Sequence, residues 1–454
     1  MSRALGLEES MKRRVDPAKA MFVGSSALVI FAYGVAVGVY KIFPFNILKF
    51  GVDSIEQVWD EGPILLGAHL AERPEAFLKP ARHEGDGVTR MTEGRTAPGL
   101  TLLAGFFANS NEIRLIRQDG AVIKRWPVRF TEIFPNPNHI EPAEEIPATD
   151  WNTDIHGALA FPDGSIVFNF EYKGMVKLDR CGNVQWTVPR MTHHSIDWAN
   201  DGNLWVGGRR YVKVSSPELL PLEGPYQEDT ALKISPEGEI LAEISVPRLF
   251  FENGLEYLLL ANGQFDVSTV MGKDIVHLND IEQLSPDMAD RFPQFVVGDL
   301  LLSMRELNLI MVVDPETERV KWHQTGPWIR QHDPDFTVRG TISVFNNNTD
   351  DNQGKIFGGS TIVEMDPGTR EATVLYGARP GQDMYTSIRG KHQHLENGNI
   401  LITESISGRV IEIDDQGEIV WEYINRFDDD EVARLNDAIR YPEGYFSVED
   451  WACN

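Results

Sequence analysis

One kind of turn recurs six times along this chain, and such a recurrence fits a repetitive β-architecture better than any other fold. The copies lie at residues 117–122 (RQDGAV), 178–186 (LDRCGNVQW), 234–240 (ISPEGEI), 313–322 (VDPETERVKW), 365–374 (MDPGTREATV) and 413–421 (IDDQGEIVW). Asp or Ser opens the turn, Gly usually accepts positive φ, and an apolar strand follows that often ends in tryptophan. Each copy can therefore reverse an antiparallel strand pair. A second turn precedes the first in several units, at Pro162-Asp163-Gly164, Asn200-Asp201-Gly202 and Glu396-Asn397-Gly398. Two hairpins make a four-stranded unit. Six such units around an axis make an all-β six-bladed β-propeller, which leaves only short, protected sheet edges. A pair of β-sandwiches is the alternative, but it gives no reason for equivalent turns every ~50–80 residues.

Histidines fall in step with these units. His156, His194 and His332 each stand eight residues before a turn glycine, Gly164, Gly202 and Gly340. In a propeller the strand before the first hairpin is innermost and faces the channel, so the spacing aims one imidazole per unit at a common axis. Within residues 154–161, alternation puts His156, Ala158 and Ala160 on one face, and by the same rule His193 points away from His194. Two further groups, His277 and His392 with His394, begin strand-like units out of that register.

Charge narrows the partners. The chain carries 42 basic and 68 acidic side chains, a formal net charge of −26, and no basic block. Nonspecific binding to nucleic acid is therefore disfavoured. Two cysteines, Cys181 and Cys453, cannot build a four-thiolate zinc site; they either pair or stay free.

Residues 20–40 (AMFVGSSALVIFAYGVAVGVY) contain no charge and match the ~20 residues a helix needs to cross a bilayer. Lys12, Arg13, Arg14 and Lys19 precede the run, so the positive-inside tendency keeps residues 1–19 cytoplasmic. Lys41, Ile42, Phe43 and Pro44 follow where a cleavage site would need small residues, which favours an uncleaved transmembrane signal anchor over a signal peptide. Residues 41–98 then read as a neck with loops, 99–431 as the propeller, and 432–454 as a segment that closes the ring, caps a face or meets a partner. The expected location is the inner membrane, single-pass, with the C-terminal domain periplasmic.

The fourth and fifth units carry the most specific residues. His277-Leu278-Asn279 opens one; a strand ending Ser303-Met304-Arg305 follows; then Gln331-His332 leads to Phe345-Asn346-Asn347-Asn348. With these HxN, SxR and QH motifs the chain resembles the bacterial arylsulfotransferases, PAPS-independent enzymes built as six-bladed propellers. The resemblance covers roughly residues 99–423. It implies that His332 is the nucleophile that accepts the sulfuryl group, and that His277, Asn279 and Arg305 bind sulfate. It further implies that His194 is a channel histidine of the site, and that the donor is an aryl sulfate and the acceptor a phenol, with no cofactor and no metal. Two departures bear on substrate and maturation. The FDNG of many members reads FNNN here, and the anchor and lack of a close cysteine pair differ from secreted members.

A neutral imidazole that attacks sulfur and is then displaced by the acceptor oxygen gives ping-pong transfer through sulfohistidine. His156, His392 and His394 are added as channel residues that would contact substrate, and His194 or His277 as acid and base. His323 reads as packing or surface, and His69, His83 and His139 as loop residues. Asp428, Asp429, Asp430 and Glu431 read as a solvated acidic run. A metal hydrolase is disfavoured because no HExxH or EF-hand spacing is present. The rival of another class is a nonenzymatic, membrane-anchored propeller that serves as a binding or scaffold subunit, with a homo-oligomer or membrane-complex partner.

Overall fold

The structure is a computed structural model that describes residues 17–40 and 74–453, apart from 215, 220–221, 223, 262–273, 350–354 and 356. His69, residues 1–16 and residues 41–73 of the expected neck lie outside that set. The chain divides into two units, Met1–Ala71 and Glu72–Asn454. In the first, a helix runs over Pro17–Tyr40, with Met21, Phe22, Leu28, Val29, Ile30 and Phe31 exposed. The expected membrane span is not confirmed. Among the described residues no helix is long and apolar enough to cross a membrane, and several side chains of this helix fall outside those residues.

The second unit is the expected six-bladed propeller. Blade 2 orders its strands Ile155–Ala160, Ile166–Phe170, Gly174–Leu178 and Val184–Val188 from the axis outward. Blade 3 follows with His193–Trp198, Leu204–Val212, Tyr226–Ile234 and Ile240–Ser245, and blade 4 with Leu278–Gln283, Leu300–Met304, Leu309–Asp314 and Arg319–Thr325. Blade 5 has His332–Phe336, Ile342–Asn346, Thr361–Met365 and Ala372–Tyr376. Blade 6 has Lys391–His394, Ile400–Glu404, Arg409–Ile413 and Ile419–Ile424. All six recurring turns join the third and fourth strands of a blade.

Blade 1 closes the ring. Its outer strands are Leu100–Phe107, Ser110–Ile116 and Val122–Pro127, but its innermost strand is Leu435–Tyr441 from the far end of the chain. Of the three roles open to residues 432–454, closure is thus one, and the propeller extends past residue 431. It also begins before residue 99, because Gly87–Met91, placed in the neck from sequence, pairs with Ile419–Ile424 as a fifth strand that covers the edge of blade 6. Leu78–Pro80 pairs with Glu431–Ala433.

The apolar core is divided into layers between neighbouring sheets. Leu278, Leu300 and Met311 of blade 4 pack on Trp205, Tyr226 and Ile244 of blade 3, and the same interleaving fills the other five joints. Three tryptophans of the outer hairpins have a defined task, whereas the buried indole nitrogen of Trp322 makes no such bond. Trp126 Nε1 donates to Arg180 O at 3.1 Å, Trp186 Nε1 to Pro236 O at 2.8 Å, and Trp421 Nε1 to Gln118 O at 2.7 Å. Each indole clasps the corresponding turn of the next blade. Cys181 and Cys453 form a disulfide, which ties the tail to the outer turn of blade 2, and Tyr445 Oη donates to Ala160 O at 2.7 Å.

Candidate active site at the start of the inner strands

The inner strands do not begin as regular β-structure. Register shifts fall between Ile155 and Ala158, His193 and Ile196, Leu278 and Asp280, His332 and Asp335, and Leu435 and Asp437. His194, His277 and Asp333 hold φ of 59°, 54° and 52°, conformations that cost a non-glycine residue roughly 1–3 kcal/mol and concentrate at functional sites. A bulge re-aims side chains. For that reason the expected opposition of His193 and His194 fails, and their Nδ1 atoms lie 2.8 Å apart. Alternation is likewise broken beside His156. Gly157 is required in this crowded region, because a Cβ there would overlap the His194 carbonyl of the next blade.

The bulges gather four of the expected histidines. Ring centroids lie 3.9 Å apart for His156 and His194, 4.9 Å for His194 and His277, and 6.1 Å for His194 and His332. All four are under 9 % exposed. Tyr172, φ 55°, has its ring centroid 4.8 Å from that of His193 in a tilted contact and 6.4 Å from that of His277 edge-on, and the Arg209 guanidinium lies 3.9 Å over its ring.

The hydrogen-bond network fixes the tautomer of His332. Asn347 is fully buried, and its Nδ2 donates to Thr386 O at 2.9 Å and Arg389 O at 2.7 Å. Two carbonyls can only accept, so both amide protons are committed and Asn347 Oδ1 must face His332. His332 Nδ1, 2.7 Å from that oxygen, is therefore the donor, which leaves the lone pair of the neutral ring on Nε2. Burial, then the nearby Arg305 charge, holds the His332 pKa well below its ordinary value. The ring is thus a neutral base with one nitrogen anchored and the other available.

The HxN, SxR and QH motifs form one bonded unit. Gln331 Nε2 donates to Ser303 Oγ at 3.1 Å and to Leu309 O at 3.0 Å, and Asn279 Nδ2 donates to Gln331 O at 2.7 Å. Asn279, expected to bind sulfate, thus uses one N–H to anchor the residue before the nucleophile. Arg305 pairs with Glu306 at 2.6 Å, and its charge acts on both His332 and His277.

Carboxylates stand behind the other rings. His277 Nδ1 is bonded to Asp274, which Arg209 also grips at 2.7 Å. Burial lowers the His277 pKa, while Asp274 opposes the shift. Burial would raise Asp274, but Arg209 and His277 outweigh it and hold it well below the usual carboxylate range. His156 Nδ1 lies 3.4 Å from Glu171, which Arg389 holds at 2.6 Å; burial and the Arg389 charge push His156 down to about 3. Burial and the surrounding imidazoles lower His194 well below its ordinary value.

His392 and His394, expected beside these residues, are not brought to the cluster. His392 bonds Asp333 at 3.0 Å and Ser343 at 2.7 Å, and His394 bonds Ser343 at 2.9 Å, farther along the channel. Conversely, Asn347, Glu171, Tyr172, Arg209, Asp274 and Arg389 were not singled out as site residues from sequence. Only Asn347 had a signal, as part of the asparagine cluster after the QH strand.

With this geometry in view, the family comparison is specific. The arylsulfotransferase (ASST) family profile matches residues 157–426, which carry His194, His277, Asn279, Arg305 and His332. The chain belongs to the arylsulfotransferase family. Membership brings with it aryl sulfate sulfotransferase activity, with an aryl sulfate and a phenol as the substrates. No curated protein matches this arylsulfotransferase. Among solved structures, a Bacteroides caccae protein of unknown function is 15 % identical at TM-score 0.46, covering 72 % of this chain and 93 % of its own. The β-propeller domain of Myceliophteria thermophila Cps50 (Swd1) is 8 % identical at TM-score 0.38, covering 77 % and 89 %. Virginiamycin B lyase from Staphylococcus aureus is 11 % identical at TM-score 0.35, covering 60 % and 71 %. At these scores the likenesses add nothing to what the strand order shows.

Proposed function

We propose that this arylsulfotransferase moves a sulfuryl group from an aryl sulfate to a phenol in two steps, without PAPS, through a sulfohistidine on His332. The observation that carries the reading is the Asn347 amide, whose two committed protons leave His332 Nε2 unprotonated. In the first step the Nε2 lone pair forms an N–S bond while the S–O bond to the aryl group breaks, and the electron pair leaves with the phenolate. His277, held through Nδ1 by Asp274, stands beside the leaving oxygen; burial outweighs Asp274 and keeps its pKa lowered, so the phenolate departs as the anion. In the second step the acceptor phenol oxygen attacks sulfur, the N–S bond breaks, and the lone pair returns to Nε2. His194, with Nδ1 tied to His193, takes the acceptor's proton. Arg305 balances the sulfuryl oxygens, a role in which a single fixed donor is worth about 10²–10³ in rate.

Compartment follows from the same reading. The uncharged run at residues 20–40, with Lys12, Arg13, Arg14 and Lys19 before it, supports a membrane anchor with the basic residues on the cytoplasmic side, and the Cys181–Cys453 disulfide supports a periplasmic propeller. Steady-state kinetics on purified protein with a chromogenic aryl sulfate and varied phenol tests the transfer. The expected result is parallel double-reciprocal lines, phenolate release from donor alone in an initial burst, and loss of both in His332→Ala. Intersecting lines with no burst would remove the covalent route.

A further inference from the structure

Against His194 lies a buried imidazole with no part in the two transfer steps, His193. It is fully enclosed, as is Asp229 on the third strand of the same blade. Gly207 of the second strand leaves room for the ring, since a Cβ there would stand 2.8 Å from His193 Cε1.

The partners of these rings place their protons. His193 Nε2 is 3.2 Å from Gly208 O and 3.4 Å from Asp229 Oδ1. A carbonyl only accepts. Both Asp229 oxygens already accept N–H groups, Oδ1 from Arg209 Nε at 3.0 Å and Oδ2 from Leu278 N at 2.9 Å, so Asp229 accepts as well. His193 Nε2 therefore bears the proton, and the neutral ring keeps its lone pair on Nδ1. That lone pair faces His194 Nδ1 at 2.8 Å, which makes His194 Nδ1 the donor. His194 thus has its own lone pair on Nε2, in a ring whose centroid is 6.1 Å from that of His332. This is the base that the second transfer step requires.

His194 is a poor place for the proton to stay. Burial, and then the imidazoles of His156, His277, His193 and His332, lower its pKa well below the ordinary value. Charge is arranged differently around His193. Among the described residues, the single Arg209 guanidinium is shared by two carboxylates, Asp229 at 3.0 Å and Asp274 at 2.7 Å. While the imidazoles are neutral, this group holds one negative charge more than positive. A cation at His193 faces Asp229 and cancels that excess.

We propose that His193 and Asp229 complete a proton relay through His194 in the acceptor half-reaction, an inference that rests on the sulfohistidine reading above. As the acceptor oxygen bonds to sulfur and the N–S bond to His332 breaks, the phenol O–H proton passes to His194 Nε2. At the same time the His194 Nδ1 proton passes to His193 Nδ1. Neither ring has to rotate. The bond between the two Nδ1 atoms reverses direction, and His193 becomes the imidazolium with its Nε2–H still on Gly208 O and facing Asp229. After the new aryl sulfate leaves, the same path runs backward and delivers the proton to water. His193 touches no substrate; it positions His194 and takes its proton.

His193→Gln separates these two tasks. Its amide oxygen can accept from His194 Nδ1 and its amide N–H can reach Gly208 O, so the tautomer is kept while the extra proton has no place. Wild type and variant are sulfated with an aryl sulfate, freed of donor by rapid gel filtration, and discharged by one of two acceptors. Phenol brings a proton; pentafluorophenol, ionised at neutral pH, brings none. The ratio of the phenol rate to the pentafluorophenolate rate is expected to fall by about 10² in His193→Gln, the lower end of what a positioned proton transfer contributes. A ratio equal to that of wild type, whether both rates fall or neither does, would overturn the relay. Wild-type discharge by phenol in H₂O–D₂O mixtures is the check that needs no variant: a curved dependence on deuterium fraction is expected for two protons in flight, and a linear one would overturn the relay. Wild-type enzyme that takes up no sulfuryl group would overturn the sulfohistidine reading and the relay with it, and so is told apart from failure of the relay alone.

Discussion

Asn347 decides what His332 can do. Its Oδ1 holds the Nδ1 proton, and the loss of that bond frees the ring to adopt the other tautomer and turn its protonated nitrogen toward the sulfur. Asn347→Ala is therefore expected to lower kcat by about 10²–10⁴, the range associated with misplacing a catalytic proton, with a much smaller change in donor KM; an Asn347→Ala enzyme with wild-type kcat would show that the tautomer does not matter. The depressed pKa of His332 sets the pH profile. Folded His332 binds no proton at the pH where free histidine does, near 6.5, so sulfation should hold its rate as pH falls through 6.5, whereas an acid limb centred there would contradict the assignment. The same sign governs stability. His156, lowered to about 3, contributes fully above 6.5, and that contribution is lost at about 1.4 kcal/mol per pH unit as pH falls from 6.5 toward 3, because the unfolded chain binds the extra proton. Sequence reached His332 through its neighbouring glutamine, but its orienting amide is fifteen residues away in a run of three asparagines. Which of Asn346, Asn347 and Asn348 faces the ring depends on how the strand end turns, and no local pattern states it.

At the scale of elements, turn chemistry was the most legible feature. Asp, Ser, Pro and Gly at the recurring positions place all six outer hairpins, because a reversal of the chain is a local event governed by φ preferences. The bulges were not legible. Strict alternation predicted His193 and His194 on opposite sides, whereas the shift between His193 and Ile196 brings them into contact; a bulge depends on the partner strand, and here Gly207 leaves room for it, since a Cβ would stand 2.8 Å from the His193 ring. Trp126, Trp186 and Trp421 gained a meaning that sequence alone withheld, as clasps between blades. Trp186→Phe keeps the ring's packing but removes the donor to Pro236 O, and should lower unfolding free energy by about 0.5–1.5 kcal/mol in denaturant titration without altering transfer. No loss of stability would mean that packing alone joins the blades.

Across the whole molecule, repetition and departure from it have separate roles. The repeat sets six inner strands around one axis, and four blades contribute the four histidines, so no single blade holds a site. Ring closure by Leu435–Tyr441 was one of several roles left open from sequence, and the pairing of Cys181 with Cys453 was likewise open. Both join segments hundreds of residues apart, where local patterns carry no information about partners. His392 and His394 share the residue type of the site but lie farther along the channel, since their inner strand, unlike its neighbours, pairs without a register shift. In the proposed mechanism His332 alone among these imidazoles carries the sulfuryl group. Enzyme mixed with an aryl sulfate and no acceptor, quenched at alkaline pH and digested, should yield one SO₃ adduct on the peptide containing His332, absent from His332→Ala and discharged by added phenol. An adduct on His156, His194 or His277 in the wild-type enzyme, or steady turnover with no adduct at any histidine, would contradict it.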